Sequence, residues 1–456
     1  MSVTDVNGHS VQQEGNGESP DAKPAWLKNR LEWFMDQRFG LILHWGPYSQ
    51  WDCIESWPLV PADTWARPDT CRAWVERGRD LERFSRDYRN LYRTFHPIRF
   101  DAERWAAIAE AAGARYVVYT TKHHDGFCMW DTRTTDYRIT HPDCPFHADP
   151  RADTVREVFA AFRRRQMGIG CYFSKPDWHC PWYWAPGFPV HDRNVNYDTN
   201  RHPELWTSFV AFVHCQIEEL MREYGPVDIL WLDGGQVRPP HQDIRMGEIA
   251  AMARRLQPGL IMADRTVGGW YEDFLTPEQT IPKVPPDQPW EACETLGRSW
   301  KYMPEDDYKS AREVIHLLIE TASKGGNLLL GVGPDALGEI PARAEKVLRE
   351  IGDWLRSHGE AIYGTRAVPP YEEGLVRFTR KKNVVYAFVL PTPDQRWPEQ
   401  VSLSAFQPCQ GSAVEVVGLP SLKSRWRREG AGCVVSLPTA ALSDTPAVVL
   451  RLAVER

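Results

Sequence analysis

Val227-Asp228-Ile229-Leu230-Trp231-Leu232-Asp233-Gly234-Gly235 is a short apolar run that stops on a carboxylate and two glycines. A run of this length bounded by turn residues fits a buried strand of a parallel sheet. Tyr224-Gly225-Pro226 ends the helical segment before it, so the local order is helix, tight turn, strand. On a barrel, Asp233 would stand at the C-terminal end of a strand, the rim where side chains from many strands converge. The plainer alternative is that Asp233 only caps the loop that follows.

The same texture recurs on both sides. Strand-like runs at 39–46, 116–121, 168–174, 259–265 and 327–333 end on His44, on Lys122-His123-His124-Asp125-Gly126, near Tyr172, on Arg265 and on Gly333. Helical periods are read at 24–37, 101–113, 153–167, 203–224, 241–257, 307–323 and 341–358, with Asp101 as an N-cap. Strand then helix repeats at least six times before residue 360. With no GxGxxG after the first strand, this favours an α/β fold with a distorted (β/α)8 TIM-like barrel over a dinucleotide-binding sheet. Residues 266–306 read as one long loop, rich in Pro and acids but anchored by Trp270, Tyr271, Trp290 and Trp300. From about residue 371 the helical period disappears and short β-type runs alternate with Gly, Pro and Asn. A small C-terminal antiparallel β-sandwich is expected there. The expected units are a disordered tail at 1–23, a catalytic barrel at 24–366 and the sandwich at 367–456.

Bulk properties narrow the function. The 456 residues exceed one ordinary core but suit a barrel of about 250–350 residues plus a smaller domain. Net charge is −7 with no basic block, which argues against nucleic acid. The start lacks the basic and apolar regions of a signal peptide, and no run reaches the roughly 18 apolar residues of a membrane span. The ten cysteines form no close CxxC pair. Buried free thiols in a cytoplasmic protein are therefore expected, with no membrane partner and with homo-oligomerisation open.

The strand ends gather His44, His123, His124, Tyr172, Asp233 and Arg265. Three histidines, a carboxylate, a tyrosine and aromatic faces suit a polyhydroxylated ligand with an apolar edge. A zinc set from His44, His123, His124 and Asp125 competes, but adjacent histidines on a strand should point to opposite faces. No metal or other cofactor is expected. Retaining sugar hydrolysis needs two carboxyl groups about 5–5.5 Å apart. Asp233 is the nucleophile candidate. For the acid, Glu278 in the long loop is first choice and Glu291 second, with Glu294, Asp273 and Glu55 as rivals.

At these residues the chain resembles the family 29 glycoside hydrolases, the retaining α-L-fucosidases. The similar motifs are Arg38-Phe39-Gly40-Leu41-Ile42-Leu43-His44-Trp45-Gly46, Lys122-His123-His124-Asp125-Gly126-Phe127, Trp231-Leu232-Asp233-Gly234, Ser299-Trp300-Lys301-Tyr302 and the segment 323–334. The resemblance implies double displacement on terminal α-L-fucosyl residues of an oligosaccharide or glycoconjugate, without a metal. It makes Asp233 the nucleophile, and His44, His123, His124, Tyr172 and Arg265 fucose-binding residues. Glu55, Trp57 and Trp300 become further pocket residues, and the spacing of Glu278 after Asp233 is that of the linkage-selective branch. Gly331 stands where the family usually has Asn, and Lys301 where it usually has Gly. The alternatives are a retaining glycosidase of this fold acting on another sugar, an inactive fucose-binding protein, and a metal-dependent hydrolase.

Overall fold

Phe39–Leu43 (β1) carries no charged side chain and is buried along its whole length, as a strand covered on both faces must be. It is an interior strand of a seven-stranded, all-parallel sheet in the computed structural model, which describes residues 24–391, 397–419, 422–439, 442 and 445–455. The other strands are β2 (Tyr116–Lys122), β3 (Gly168–Ser174), β4 (Ile229–Asp233), β5 (Ile261–Asp264), β6 (Glu291–Thr295) and β7 (Asn327–Val332), in the order β5-β4-β3-β2-β1-β7-β6.

The sheet curls, and the two edge strands are bridged by an extended segment at 273–279. Asp273 N–H donates to the Met262 carbonyl of β5 (2.9 Å). On the other side, Glu291 and Cys293 of β6 donate to Leu275 and Pro277 (2.8 and 3.0 Å), and Gln279 donates back to Cys293 (2.8 Å). Pro277 has no N–H to give, which keeps this eighth position irregular. The expected barrel is thus present in distorted form. The expected single loop at 266–306 is not: it contains this bridging segment and β6. Glu-Ala-Cys-Glu-Thr hides a strand because two carboxylates interrupt its apolar run.

Alternation along each strand sorts the two faces. Leu41, Val117, Ile169, Leu230, Leu232 and Leu330 face the helices. Ile42, Tyr116, Val118, Tyr172, Ile229, Trp231, Ala263 and Leu329 face inward. Helix α1 (Ala25–Gln37) plugs the lower end, with Leu27, Leu31 and Phe34 in that inner cluster and Phe34 against Tyr116 and Phe274. The inner face is therefore filled from below, and only its upper rim is open. Among the outer helices, Ala102–Ala111 starts at Asp101, whose carboxylate accepts from Arg104 N–H (3.0 Å) as expected. No helix among the described residues is long and apolar enough to cross a membrane.

After the helix Ala342–His358 the texture changes. Strands from Arg366–Glu373 to Val448–Ala453 form one six-stranded and one three-stranded antiparallel sheet. Val385, Val389, Leu403, Val435, Leu450 and Leu452 pack between them as a sandwich core. The strands Gln400–Leu403, Lys423–Ser424 and Trp426–Glu429 escape a hydrophobic reading because they are short and largely polar. The tail at 1–23 lies outside the described residues.

Candidate active site

Asp233 is the last residue of β4, two positions after inward-facing Trp231, so the strand period turns it into the open end. Gly234 follows at φ +90°, and a Cβ there would stand 2.2 Å from Pro176 Cδ. Only glycine allows this turn, and its N–H bends back onto Asp233 Oδ1 (2.8 Å). Around Asp233 lies a cavity of about 460 Å³. Its walls include His44, Trp57, His123, His124, Tyr172, Trp231, Arg265, Glu278, Cys293 and Trp300.

The Asp233 carboxylate is held on both oxygens. Oδ1 accepts from Arg265 Nη1 (3.0 Å) as well as from Gly234. Oδ2 accepts from Tyr172 OH (2.6 Å), with His124 Nε2 at 3.7 Å. Burial alone would raise its pKa. The attraction of Arg265 and His124 and the bonds from Tyr172 and Gly234 outweigh burial and hold it well below the usual carboxylate range. Arg265 also grips Glu278 through Nη2, and Glu278 Oε1 accepts from Trp300 Nε1 (3.0 Å). One guanidinium therefore bridges the two carboxylates.

The histidines form a neutral wall. Ring centroids of His44 and His123 lie 4.7 Å apart, and those of His123 and His124 lie 4.2 Å apart. Burial pushes the pKa of His44 down to about 3, that of His124 down to about 4 and that of His123 well below its usual value. Ser174 Oγ donates to the Pro176 carbonyl (2.7 Å), so it accepts from His124 Nδ1 (2.6 Å). That assignment leaves His124 Nε2 bare, on the side of Asp233. Ser56 Oγ lies 2.6 Å from His123 Nδ1, and Tyr48 OH 2.9 Å from His44 Nδ1.

Several expectations need correction. Both His123 and His124 face the cavity, contrary to strand alternation. β2 ends at Lys122 after a register shift at 120–122, and the two histidines lie in the turn beyond it. A potential ligand atom from each of His123, His124 and Asp233 falls within one 4.8 Å group. Yet Arg265 already places a fixed positive charge on Asp233, which a dication at this set would meet at close range, so the set does not fit a dication. Asp125 is turned away, accepting from Tyr88 OH (3.0 Å).

Glu55 does not line the cavity. It is buried and accepts from Ser299 Oγ (2.8 Å) and Lys301 N–H (3.1 Å), tying two loops together; Trp57 lines the site, and Ser56 is buried against His123. Glu291 lies lower in the barrel, where Tyr116 OH and Trp231 Nε1 donate to its carboxylate and burial pushes its pKa up to about 7. Asp273 is paired with Arg254 (2.8 Å), and Glu294 faces Lys309 at 3.9 Å. Of the acids considered as partner to Asp233, only Glu278 lines the cavity.

The departures at Gly331 and Lys301 have a physical reading. A Cβ on Gly331 would lie 2.7 Å from the Trp300 ring, so glycine makes room for the indole that holds Glu278. Lys301 is buried and caps the Trp51 carbonyl beneath the same loop. Sequence reasoning missed Trp231, which stacks on Tyr172 (5.3 Å, 23°) under the Arg265 guanidinium, along with Ser56, Ser174 and Arg193. The period-two count back from Asp233 marks Trp231 as inward, but nothing local marks the two serines.

Known proteins carry the same fold. The structure is similar to α-L-fucosidase isoenzyme 1 from Paenibacillus thiaminolyticus, with a TM-score of 0.76 and 32% identity over 94% of this chain and 100% of that one. It is also similar to a Thermotoga maritima α-fucosidase solved with a mechanism-based inhibitor, with a TM-score of 0.73 and 26% identity over 94% of this chain and 98% of that one. Rat plasma α-L-fucosidase is 29% identical over 441 residues, 91% of this chain and 88% of that protein. A relative named for plasma overturns the expectation of a cytoplasmic protein, which rested on a polar N-terminus and unpaired cysteines. The family model of α-L-fucosidases matches residues 8–360, and this chain belongs to that family.

Proposed function

We propose that the cavity binds a terminal α-L-fucosyl residue and hydrolyses it with retention, with Asp233 as nucleophile and Glu278 as acid and then base. The observation that carries this is the bridging of both carboxylates by Arg265. Two carboxyl groups bonded to one guanidinium stay close, as the roughly 5–5.5 Å separation of a retaining pair requires, with Asp233 ionised and Glu278 carrying the proton when substrate binds.

The two carboxylates stand in different surroundings. Asp233 is ionised at neutral pH. Of its four acceptor positions, Oδ1 uses two on Arg265 and Gly234, and Oδ2 uses one on Tyr172. The remaining lone pair on Oδ2 attacks the anomeric carbon while Glu278 gives its proton to the departing oxygen. The covalent ester removes the charge of Asp233 and leaves Glu278 as the anionic partner of Arg265. Glu278 then takes a proton from the water that attacks the ester, and the configuration is restored.

His44, His123, His124 and Tyr172 hold the hydroxyls of the sugar. Neutral imidazoles can donate and accept at fixed positions, as polyol recognition needs. Trp57, Trp231 and Trp300 supply apolar faces for the ring and its methyl group. The barrel at 24–366 carries this chemistry, and the sandwich at 367–456 braces it. Fucosylated oligosaccharides or glycoconjugates are the substrates.

Azide rescue on an aryl α-L-fucoside tests the roles. Asp233→Ala should yield inverted β-fucosyl azide, and Glu278→Ala the retained α-azide. Rescue of Glu291→Ala in place of Glu278→Ala would refute the acid/base assignment. Absence of fucoside turnover in the wild type would refute the substrate.

A further inference from the structure

Cys53 and Cys71 share no motif in the sequence, yet the fold brings them together. Asp52 accepts from the backbone N–H groups of Arg72 and Ala73 (2.9 and 3.1 Å), which pins the two segments side by side. Next to these bonded positions, Cys53 and Cys71 both line a cavity of about 750 Å³, and the Cys53 thiol donates a hydrogen bond to the Cys71 sulfur. Each side chain is only 2% exposed, so small molecules reach the thiols through that cavity. We propose that Cys53 and Cys71 are a redox-active pair, which a low-molecular-weight disulfide entering this cavity oxidises to an intrachain disulfide. The inference does not depend on the activity assigned to the first cavity.

The two thiols stand in unequal surroundings. The hydrogen bond from Cys53 holds Cys71 below the ordinary thiol value, whereas the same bond and burial hold Cys53 well above it. Lys301, buried and bonded to the Trp51 carbonyl, adds a cation that favours both thiolates. Cys71 is therefore the attacking sulfur, since exchange proceeds through the thiolate. It attacks one sulfur of the small disulfide, forms a mixed disulfide and expels the first small thiol. Cys53 then gives up its proton and attacks the Cys71 sulfur, and the second small thiol leaves. Two protein sulfurs are oxidised, the two sulfurs of the small molecule are reduced, and the two protons lost by the cysteines end on the two small thiols.

The new bond closes a loop over residues 54–70. That loop carries Trp57, a wall of the first cavity, together with Glu55, which accepts from Lys301, and Ser56, which meets His123. In the reduced chain the loop is held at its ends by the Asp52 hydrogen bonds, for which water competes. A covalent link has no such competitor, and it removes freedom from the unfolded chain, so the oxidised form is the more stable one.

Incubation of the full chain with hydroxyethyl disulfide, then alkylation of the remaining thiols and peptide mapping by mass spectrometry, tests the pair. The expected product is a Cys53–Cys71 crosslink with the loss of two hydrogens. Tm should rise by roughly 3–6 °C on oxidation and return on reduction with dithiothreitol. In Cys53→Ser the mixed disulfide should accumulate on Cys71, with no crosslink and no rise in Tm. Oxidised and reduced wild type can be compared without any variant, so a serine variant that fails to fold does not shield the proposal. A mixed disulfide that persists on Cys71 of the wild type overturns the pair. So does a crosslink between other cysteines in its place, or the recovery of both thiols unmodified after the exposed Cys215 has reacted. A crosslinked chain whose Tm is unchanged overturns the stabilising role.

Discussion

Arg265→Met is the substitution that presses hardest on this site. It keeps the length of the side chain and removes the charge shared by Asp233 and Glu278. The Arg265–Asp233 contact is 3.0 Å, with both side chains largely buried. For charges about 4 Å apart at an effective dielectric of about 20, the attraction is ~4 kcal/mol. Unpairing a buried ion costs a comparable ~3–5 kcal/mol. One pH unit corresponds to about 1.4 kcal/mol, so the titration of Asp233 should rise by roughly two to three pH units. The sign matters for stability. A depressed carboxylate contributes in full above about pH 4, the ordinary aspartate value, and its contribution fades as pH falls through the depressed folded value. The variant should lose stability near neutral pH and lose little in strong acid.

The assay is a pH profile of kcat/KM on an aryl α-L-fucoside, beside thermal unfolding at matched pH. Turnover should fall by roughly two to three powers of ten at neutral pH, and the acid limb should move upward. Arg265→Lys separates charge from geometry, because an ammonium is a point charge that does not fork onto two carboxylates. It should keep the acid limb near its wild-type position while still losing rate. Arg265→Met within about tenfold of wild type, with an unmoved acid limb, would refute the bridging argument.

Glu291→Gln should leave turnover nearly unchanged. Since burial raises Glu291 to about 7, the wild type loses stability as pH rises from about 4.5 to 7, and the variant should gain on it over that range by up to ~3 kcal/mol in thermal unfolding; a pH-independent difference would refute the assignment. Gly331→Asn should displace Trp300 from Glu278 and lower kcat by roughly tenfold with little change in Tm, and it should not add to Trp300→Phe in the double variant. Ser174→Ala frees the His124 tautomer and should cost roughly tenfold in kcat/KM against about 1 kcal/mol of stability. The histidines act in the opposite sense to Glu291. With His44 and His124 pushed down to about 3 and about 4, the unfolded chain takes up protons first, so Tm should fall as pH drops from about 6.5 to 4, and less so in His44→Asn.

What was legible follows from where physical signals are local. The period-two alternation of β4 carries from Ile229 through Trp231 to Asp233, so the direction of the nucleophile candidate is written in the strand. The same holds for Ile42 to His44 and for Ala263 to Arg265. The sequence of His123 and His124 marks a strand end but not their orientation, because the register shift at the end of β2 depends on its pairing with β3. β6 is not legible as a strand because its inward Glu291 is satisfied by Tyr116 and Trp231, partners far away in sequence. Glu55 and Ser56 differ by one position, and Ser56 reaches His123 while Glu55 turns to Ser299 and Lys301, partners far away in sequence. Loops reveal their direction only through such distant partners.

The cavity divides into a charged half and a neutral half, and the division explains the clustering of histidines. A sugar losing its leaving group develops positive charge in the ring. On the proposed roles Asp233 faces that charge directly, and an imidazolium beside it would oppose it. Three imidazoles packed at 4.2 and 4.7 Å protect one another from protonation, since burial and mutual repulsion act in the same direction. Among the described residues, Arg265 is the cation bonded to Asp233; it reaches Glu278 as well and lies over Trp231, so its charge balances that of Asp233. On the proposed roles, the wall that holds the hydroxyls is thus kept neutral by packing, and the nucleophile is kept ionised by a single guanidinium. That separation lets one small cavity bind a polyol and stabilise a cation.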